Sequence, residues 1–271
     1  MKLHAMKPPA LLRLFAAALA AGLASASLHA APFDLEKTTA AAAQGDAEAQ
    51  LQLGRVYLLG EGVPKDEARA LGLFRQAAEQ GHLKAQNNLG LMYLQGLGVK
   101  ADAPEGAKWL RKAAEQGLAV AQFRLGDLYY FGAAGVEKNM REAFVWFRQA
   151  AAQGHPQAMN SVGVIHDLGL GVKRDKQEAV AWFRKAAELG DRKGQSNLGR
   201  CYTTGAGVER NAALAYQWLT LGAEQGEVTA TNCLDDFRKA MKPGEIAEGE
   251  RLLAEYRARA EAKAAFMAPT K

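Results

Sequence analysis

Chemistry at an active site needs a nucleophile, a base or a metal-ligand set held close together, and the residues able to supply one are sparse in this chain. Beyond residue 30 there are three histidines (His82, His155, His166), two cysteines (Cys201, Cys233) and two serines (Ser161, Ser196). No His-Glu-x-x-His occurs, and no Cys/His spacing suits zinc. A Ser-x-x-Lys nucleophile is missing from this part, because Ser161 and Ser196 are followed three residues later by Val164 and Gly199. Glycine pairs such as Gly60-Glu-Gly62 and Gly96-Leu-Gly98 invite comparison with a phosphate cradle, but they follow helical segments and not strands. The expectation is a chain that is not an enzyme and binds no metal and no cofactor.

Those glycines belong to a larger pattern. Gly45, Gly81, Gly117, Gly154, Gly190 and Gly226 are separated by 36, 36, 37, 36 and 36 residues, and a period of that size marks a repeat array. Counting each copy from its glycine as position one, small or apolar residues at positions five, nine, twelve and thirteen lie on one face of a helix. Position ten is Gly54, Gly90, Gly126, Gly163 and Gly199. Glycine costs roughly 1 kcal/mol relative to alanine inside a helix, so its return in five copies implies that a partner helix approaches too closely for a side chain. The first helix ends in a glycine loop. Three residues past the loop valine, Asp66, Asp102, Asn139, Asp175 and Asn211 are N-cap residues for a second helix, with Glu105, Glu142 and Glu178 placed to bond back to the cap. That helix carries Trp109, Trp146, Trp182 and Trp218, with Leu73 in the first copy.

Each copy is thus a helical hairpin that cannot bury its apolar face alone, and stacking its neighbours solves that. The pattern A-x-x-x-L-G-x-x-Y-x-x-G-x-G-V-x-x-D followed by A-x-x-W-x-x-x-A-A-x-x-G resembles the Sel-one-like repeat (SLR) family, a longer relative of the tetratricopeptide repeat (TPR). The resemblance covers residues 40–237, as five full copies (about 41–76, 77–112, 113–149, 150–185 and 186–221) and a partial sixth (222–237). It implies an all-α fold, a right-handed α-solenoid of stacked antiparallel helix pairs (an SLR/TPR-like superhelix), and a protein-binding adaptor. Residues 31–39 form a lead-in to the array. A break at Lys242-Pro243-Gly244 opens a charged C-terminal segment, 243–267, whose helical stripe Ile246, Leu252, Leu253 and Tyr256 suits a terminal cap.

Residues 1–30 have another character. Lys2, Lys7 and Arg13 precede an apolar run from Leu14 to Leu23 that is too short to span a bilayer, and small residues follow. This reads as a secretory signal peptide cleaved after Ala30, or after Ala26, and predicts a periplasmic or secreted chain with no integral membrane segment. The leader holds three of the 34 basic residues and none of the 29 acidic ones, which leaves 31 against 29, a net charge of +2. Nucleic acid is excluded as a partner on that balance. A protein or peptide partner and a monomeric state are expected.

In TPR solenoids the first helices line the concave face. Carried onto this repeat, that arrangement points to positions four, seven, eleven, fourteen and fifteen, which vary between copies. The candidate partner-binding residues are Arg55, Asn87, Leu91, Phe123, Asp127, Tyr130, Asn160, Asp167 and Arg200. Phe123, Asp127, Tyr130 and Phe131 of the central copy would cluster on one face, where aromatics act as binding hot spots, or Phe123 and Phe131 would pack between repeats. His166 fills a position that is tyrosine in the other copies. Cys201 and Cys233 could form a disulfide after export or remain buried thiols. A cell-wall-related enzyme, or a binder of peptidoglycan or beta-lactam, is the rival function.

Overall fold

The computed structural model describes residues 34–267 of the 271-residue chain; the expected leader lies outside them. The described residues form thirteen α-helices and no strand beyond one isolated bridge between Ala133 and Val136. The helices are α1 (Leu35–Ala43), α2 (Ala47–Leu59), α3 (Glu67–Glu79), α4 (Leu83–Gln95), α5 (Ala103–Glu115), α6 (Ala119–Phe131), α7 (Met140–Ala152), α8 (Pro156–Leu168), α9 (Lys176–Glu188), α10 (Arg192–Thr204), α11 (Ala212–Glu224), α12 (Val228–Ala240) and α13 (Pro243–Met267). Two compact units divide the chain, one ending at Gln149 within α7 and one starting at Ala150. In each, successive helices pack as antiparallel pairs.

The glycine at position ten is where the two helices of a pair meet. A Cβ on Gly90 would lie 2.8 Å from Leu110 Cγ and 2.9 Å from the Gly106 carbonyl oxygen, and one on Gly126 would lie 2.6 Å from the Phe147 ring. Gly54, Gly163 and Gly199 stand in the same relation to Phe74, Phe183 and Leu219. The residue after the tryptophan position of each second helix therefore rests directly on the backbone of the first. The loop that returns the chain is closed by the cap residue itself: the Asp66, Asp102 and Asn139 amides donate to the Tyr57, Tyr93 and Tyr129 carbonyls at 2.8, 2.9 and 2.8 Å. The second glycine of the loop also docks on the preceding pair. Gly98 has φ +67°, and a Cβ there would lie 2.4 Å from the Glu67 carbonyl oxygen, so only glycine fits the conformation and the space.

The N-caps of the second helices form as the sequence predicts, with Asp66, Asp102, Asn139, Asp175 and Asn211 accepting from backbone amides two or three residues on. The glutamates do not bond back to the caps. Glu105, Glu142 and Glu178 instead accept from the indole Nε1 of Trp109, Trp146 and Trp182 at 2.8, 3.1 and 2.8 Å. A largely buried indole N–H needs an acceptor, and one helical turn places the carboxylate within reach of it. Position two caps the first helices. Asp46 and Asp191 serve there in the usual way, and His82 and His155 do the same through Nδ1, each accepting at 3.3 Å from the amide three residues on.

At the ends the pattern is truncated. The lead-in is a single helix, α1, which continues to Ala43, and its Ala42 carbonyl accepts from Gln50 Nε2 at 3.3 Å. That repeats the bond from Gln86 to Ala78 at 3.2 Å, so α1 serves as the second helix of an incomplete preceding copy. α13 packs along α11: Leu253 is buried, Tyr256 meets the Trp218 ring edge-on at 5.1 Å, and Arg257 pairs with Glu224.

Gly90→Ala should lower the midpoint of urea unfolding by the equivalent of about 1–3 kcal/mol, since overpacking outweighs the gain in helix propensity. Gly72→Ala on α3, where nothing lies within 4 Å, should raise it by up to about 1 kcal/mol. Circular dichroism of the two variants checks both signs.

Candidate partner-binding site

The candidate residues all lie on the first helix of a pair: α2, α4, α6, α8 or α10. Their surroundings differ. On α4, Leu91 is 1 % exposed and belongs with Leu51, Leu58 and Leu94 to the apolar cluster of the first unit. Asn87 is buried beside it and donates to Asn88 Oδ1 at 3.2 Å. Asn160 on α8 is buried too, its Oδ1 accepting from Asn197 Nδ2 at 2.8 Å. The expectation that these positions are free of packing duties is corrected for Asn87, Leu91 and Asn160: apolar neighbours or an amide partner already occupy them. Arg55 is half-buried on α2.

On α6 the aromatic residues do come together, but on a core ring. Phe123 and Tyr130, both half-buried, lean on buried Phe147 with centroids 5.7 and 6.3 Å away, and Phe131 meets Tyr130 edge-on at 4.8 Å. They therefore combine packing with a partly open face. Asp127 lies in the same row, half-buried. Sequence reasoning missed Arg124, which is 6 % exposed and sits one turn before Asp127. Burial pulls its guanidinium down to about 10, against the opposing pull of Asp127, and burial with Asp127 pushes the Tyr130 phenol up. The available signal was its type: position eight is Gln52, Asn88, Ser161 and Asn197 in the other copies.

In the second unit a cleft of about 70 Å³ opens between α8 and α10, lined by Asp167, Phe183, Asn197, Arg200, Cys201 and Thr204. Asp167 and Arg200 thus share one site, as neighbours across adjacent first helices. Cys201 and Cys233 are both free thiols, so the possible disulfide is not formed. Cys201 belongs to the packing of the second unit, and burial, then Asp167, pushes its thiol up to about 11. His166 takes the tyrosine position on α8, half-buried. Among the described residues no group of three or more His, Cys, Asp or Glu side chains could hold a metal ion, and no helix is long and apolar enough to cross a membrane.

Paired helices, a fixed framework and a variable row on one helix of each pair define an α-solenoid repeat protein. The Sel1 repeat profile matches residues 47–82, 83–118, 119–155, 156–191 and 192–227, and the chain belongs to the Sel1 repeat family. A crystal structure of a Sel1 repeat protein from Oxalobacter formigenes is 35% identical, with TM-score 0.71 over 82% of this chain and 90% of that one. The structure of c5321, described as a protective antigen present in uropathogenic Escherichia coli strains displaying an SLR fold, is 28% identical with TM-score 0.55, over 98% of this chain and 65% of that one. No curated protein matches the chain. Sel1 repeats typically build protein-interaction scaffolds.

With its thiol raised, Cys201 stays protonated to higher pH in the folded state than in the unfolded one. The stability it contributes is full below the unfolded thiol value and is lost as pH rises from about 9 to about 11. Cys201→Ala should flatten that part of the pH–stability curve. On the oxidised wild type, a thiol reagent should count two thiols after denaturation, with Cys201 reacting slowly before it.

Proposed function

We propose that this chain is an exported, periplasmic, non-catalytic scaffold that holds a peptide or protein segment on the concave face lined by its first helices, in envelope assembly or signalling. The observation that carries the reading is the row on α6, where Phe123, Asp127 and Tyr130 keep partly open surface while Arg124, Leu125 and Leu128 of the same helix are buried. Aromatic rings beside a charge, fixed on rigid helices, supply the kind of anchor that dominates interfaces. The leader-like residues 1–30 support export, and the near-balanced charge that remains suits a protein partner over nucleic acid.

A photo-crosslinking side chain placed at Asp127 or Tyr130 should trap a partner in native envelopes, whereas one at the exposed Lys108 should not; equal yields from all three would overturn the reading. Cell fractionation should recover from the periplasm a chain starting at Ala31. The purified protein should neither bind nor hydrolyse a beta-lactam or a muropeptide, and turnover of either would favour a cell-wall enzyme.

A further inference from the structure

The cleft between α8 and α10 carries a more specific assignment, which rests on the concave-face reading above. Its floor is the buried Phe183 ring and the Cys201 thiol; its rim holds Asp167, Asn197, Arg200 and Thr204. Among the described residues the Asp167 carboxylate has no hydrogen-bond or ion-pair partner: the Arg174 Nε bond at 2.6 Å goes to the Asp167 backbone carbonyl. Arg200 donates through Nη1 to Asn197 Oδ1 at 3.4 Å, and no described carboxylate pairs with it. Two opposite charges therefore line one small cleft without neutralising each other.

That arrangement selects among ligands. A lone anion would meet Asp167, a lone cation would meet Arg200, and an apolar side chain would cover both charges without pairing either, which is costly. A ligand that brings a cation to Asp167 and a carboxylate to Arg200 pairs both. An extended peptide does this with side chains two residues apart, which point the same way and are separated by about 7 Å, a span that suits neighbouring helices with axes roughly 8–10 Å apart. The Asn160–Asn197 amide pair crosses between the same two helices at 2.8 Å, beside the path of such a backbone. We propose that the α8–α10 cleft is a binding site for an extended peptide carrying one basic and one acidic side chain two residues apart, read by Asp167 and Arg200.

The test is fluorescence anisotropy with short labelled alanine-based peptides that contain Lys-x-Glu, Glu-x-Lys, lysine alone, glutamate alone or no charge. One of the two dipolar orders should bind about tenfold more tightly than the uncharged peptide, with the advantage shrinking as salt is added. Asp167→Asn and Arg200→Gln should each remove about tenfold of that affinity while leaving the uncharged peptide unaffected. The exchange Asp167→Arg with Arg200→Asp should invert the preferred order. Thermal melts check that these rim variants stay folded. No preference for a dipolar peptide, or a preference that survives both single variants, overturns the assignment. If that happens while crosslinks still form from Asp127 and Tyr130, the concave-face reading stands without it; if the crosslinks also lose their selectivity, both fail.

Discussion

The contact between the glycine of each first helix and the large side chain of its second helix sets the geometry of every full copy. With no Cβ at Gly54, Gly90, Gly126, Gly163 or Gly199, Phe74, Leu110, Phe147, Phe183 and Leu219 lie against the backbone. The helices then come close enough for the cap residue to reach the carbonyl at position thirteen and close the loop. The sixth copy shows the same constraint by its failure. α12 carries Asp235 at the glycine position, only two residues separate it from α13, and α13 packs along α11.

Close packing buries polar groups as well as apolar ones, and several of the buried amides and indoles are satisfied in pairs and exchanged in pairs. Gln50, Gln86 and Gln195 each donate to an alanine carbonyl of the preceding helix and accept from Gln80, Gln116 and Gln225 at 2.8, 2.9 and 2.8 Å. In the fourth copy the two positions are Met159 and Leu189. Changing one member alone would strand a buried amide at a cost of about 1–3 kcal/mol, whereas changing both can be nearly neutral. The Trp–Glu pairs obey the same logic. The copy with Leu73 for tryptophan has Arg69 for glutamate, and Trp218, whose copy has Leu214 there, packs against Tyr256 of α13.

This explains what was legible in the sequence. Helix pairs, caps, loop glycines and the steric reason for position ten follow from one periodic pattern, because each rests on local geometry that repeats. The partner of Glu105 is ambiguous in the sequence, because a capping box and an indole acceptor use the same residue at the same place and only side-chain direction separates them. Asn87, Leu91 and Asn160 vary between copies as open positions do, but variation does not require exposure. Asn160 shows why: its amide is committed to Asn197 on the next first helix, a pairing between copies that no single copy reveals. The burial of Arg124 is hidden for a related reason: it comes from tertiary packing and not from the period.

What remains after the framework is satisfied is a small set of groups with capacity to spare, and their placement governs how they can be used. Asp167 and Arg200 are solvated in the unbound chain, so holding them apart costs little, whereas a ligand must strip water from both before it gains from either. For such charges complementarity raises encounter rate and selectivity more than raw affinity. The rings of Phe123 and Tyr130 behave differently: leaning on Phe147, they are already ordered, so covering their open edges releases water without a new cost in side-chain freedom. A scaffold whose copies share one backbone can therefore vary both the chemistry of each step and the way binding free energy is gained there, by changing only the side chains that packing has left uncommitted.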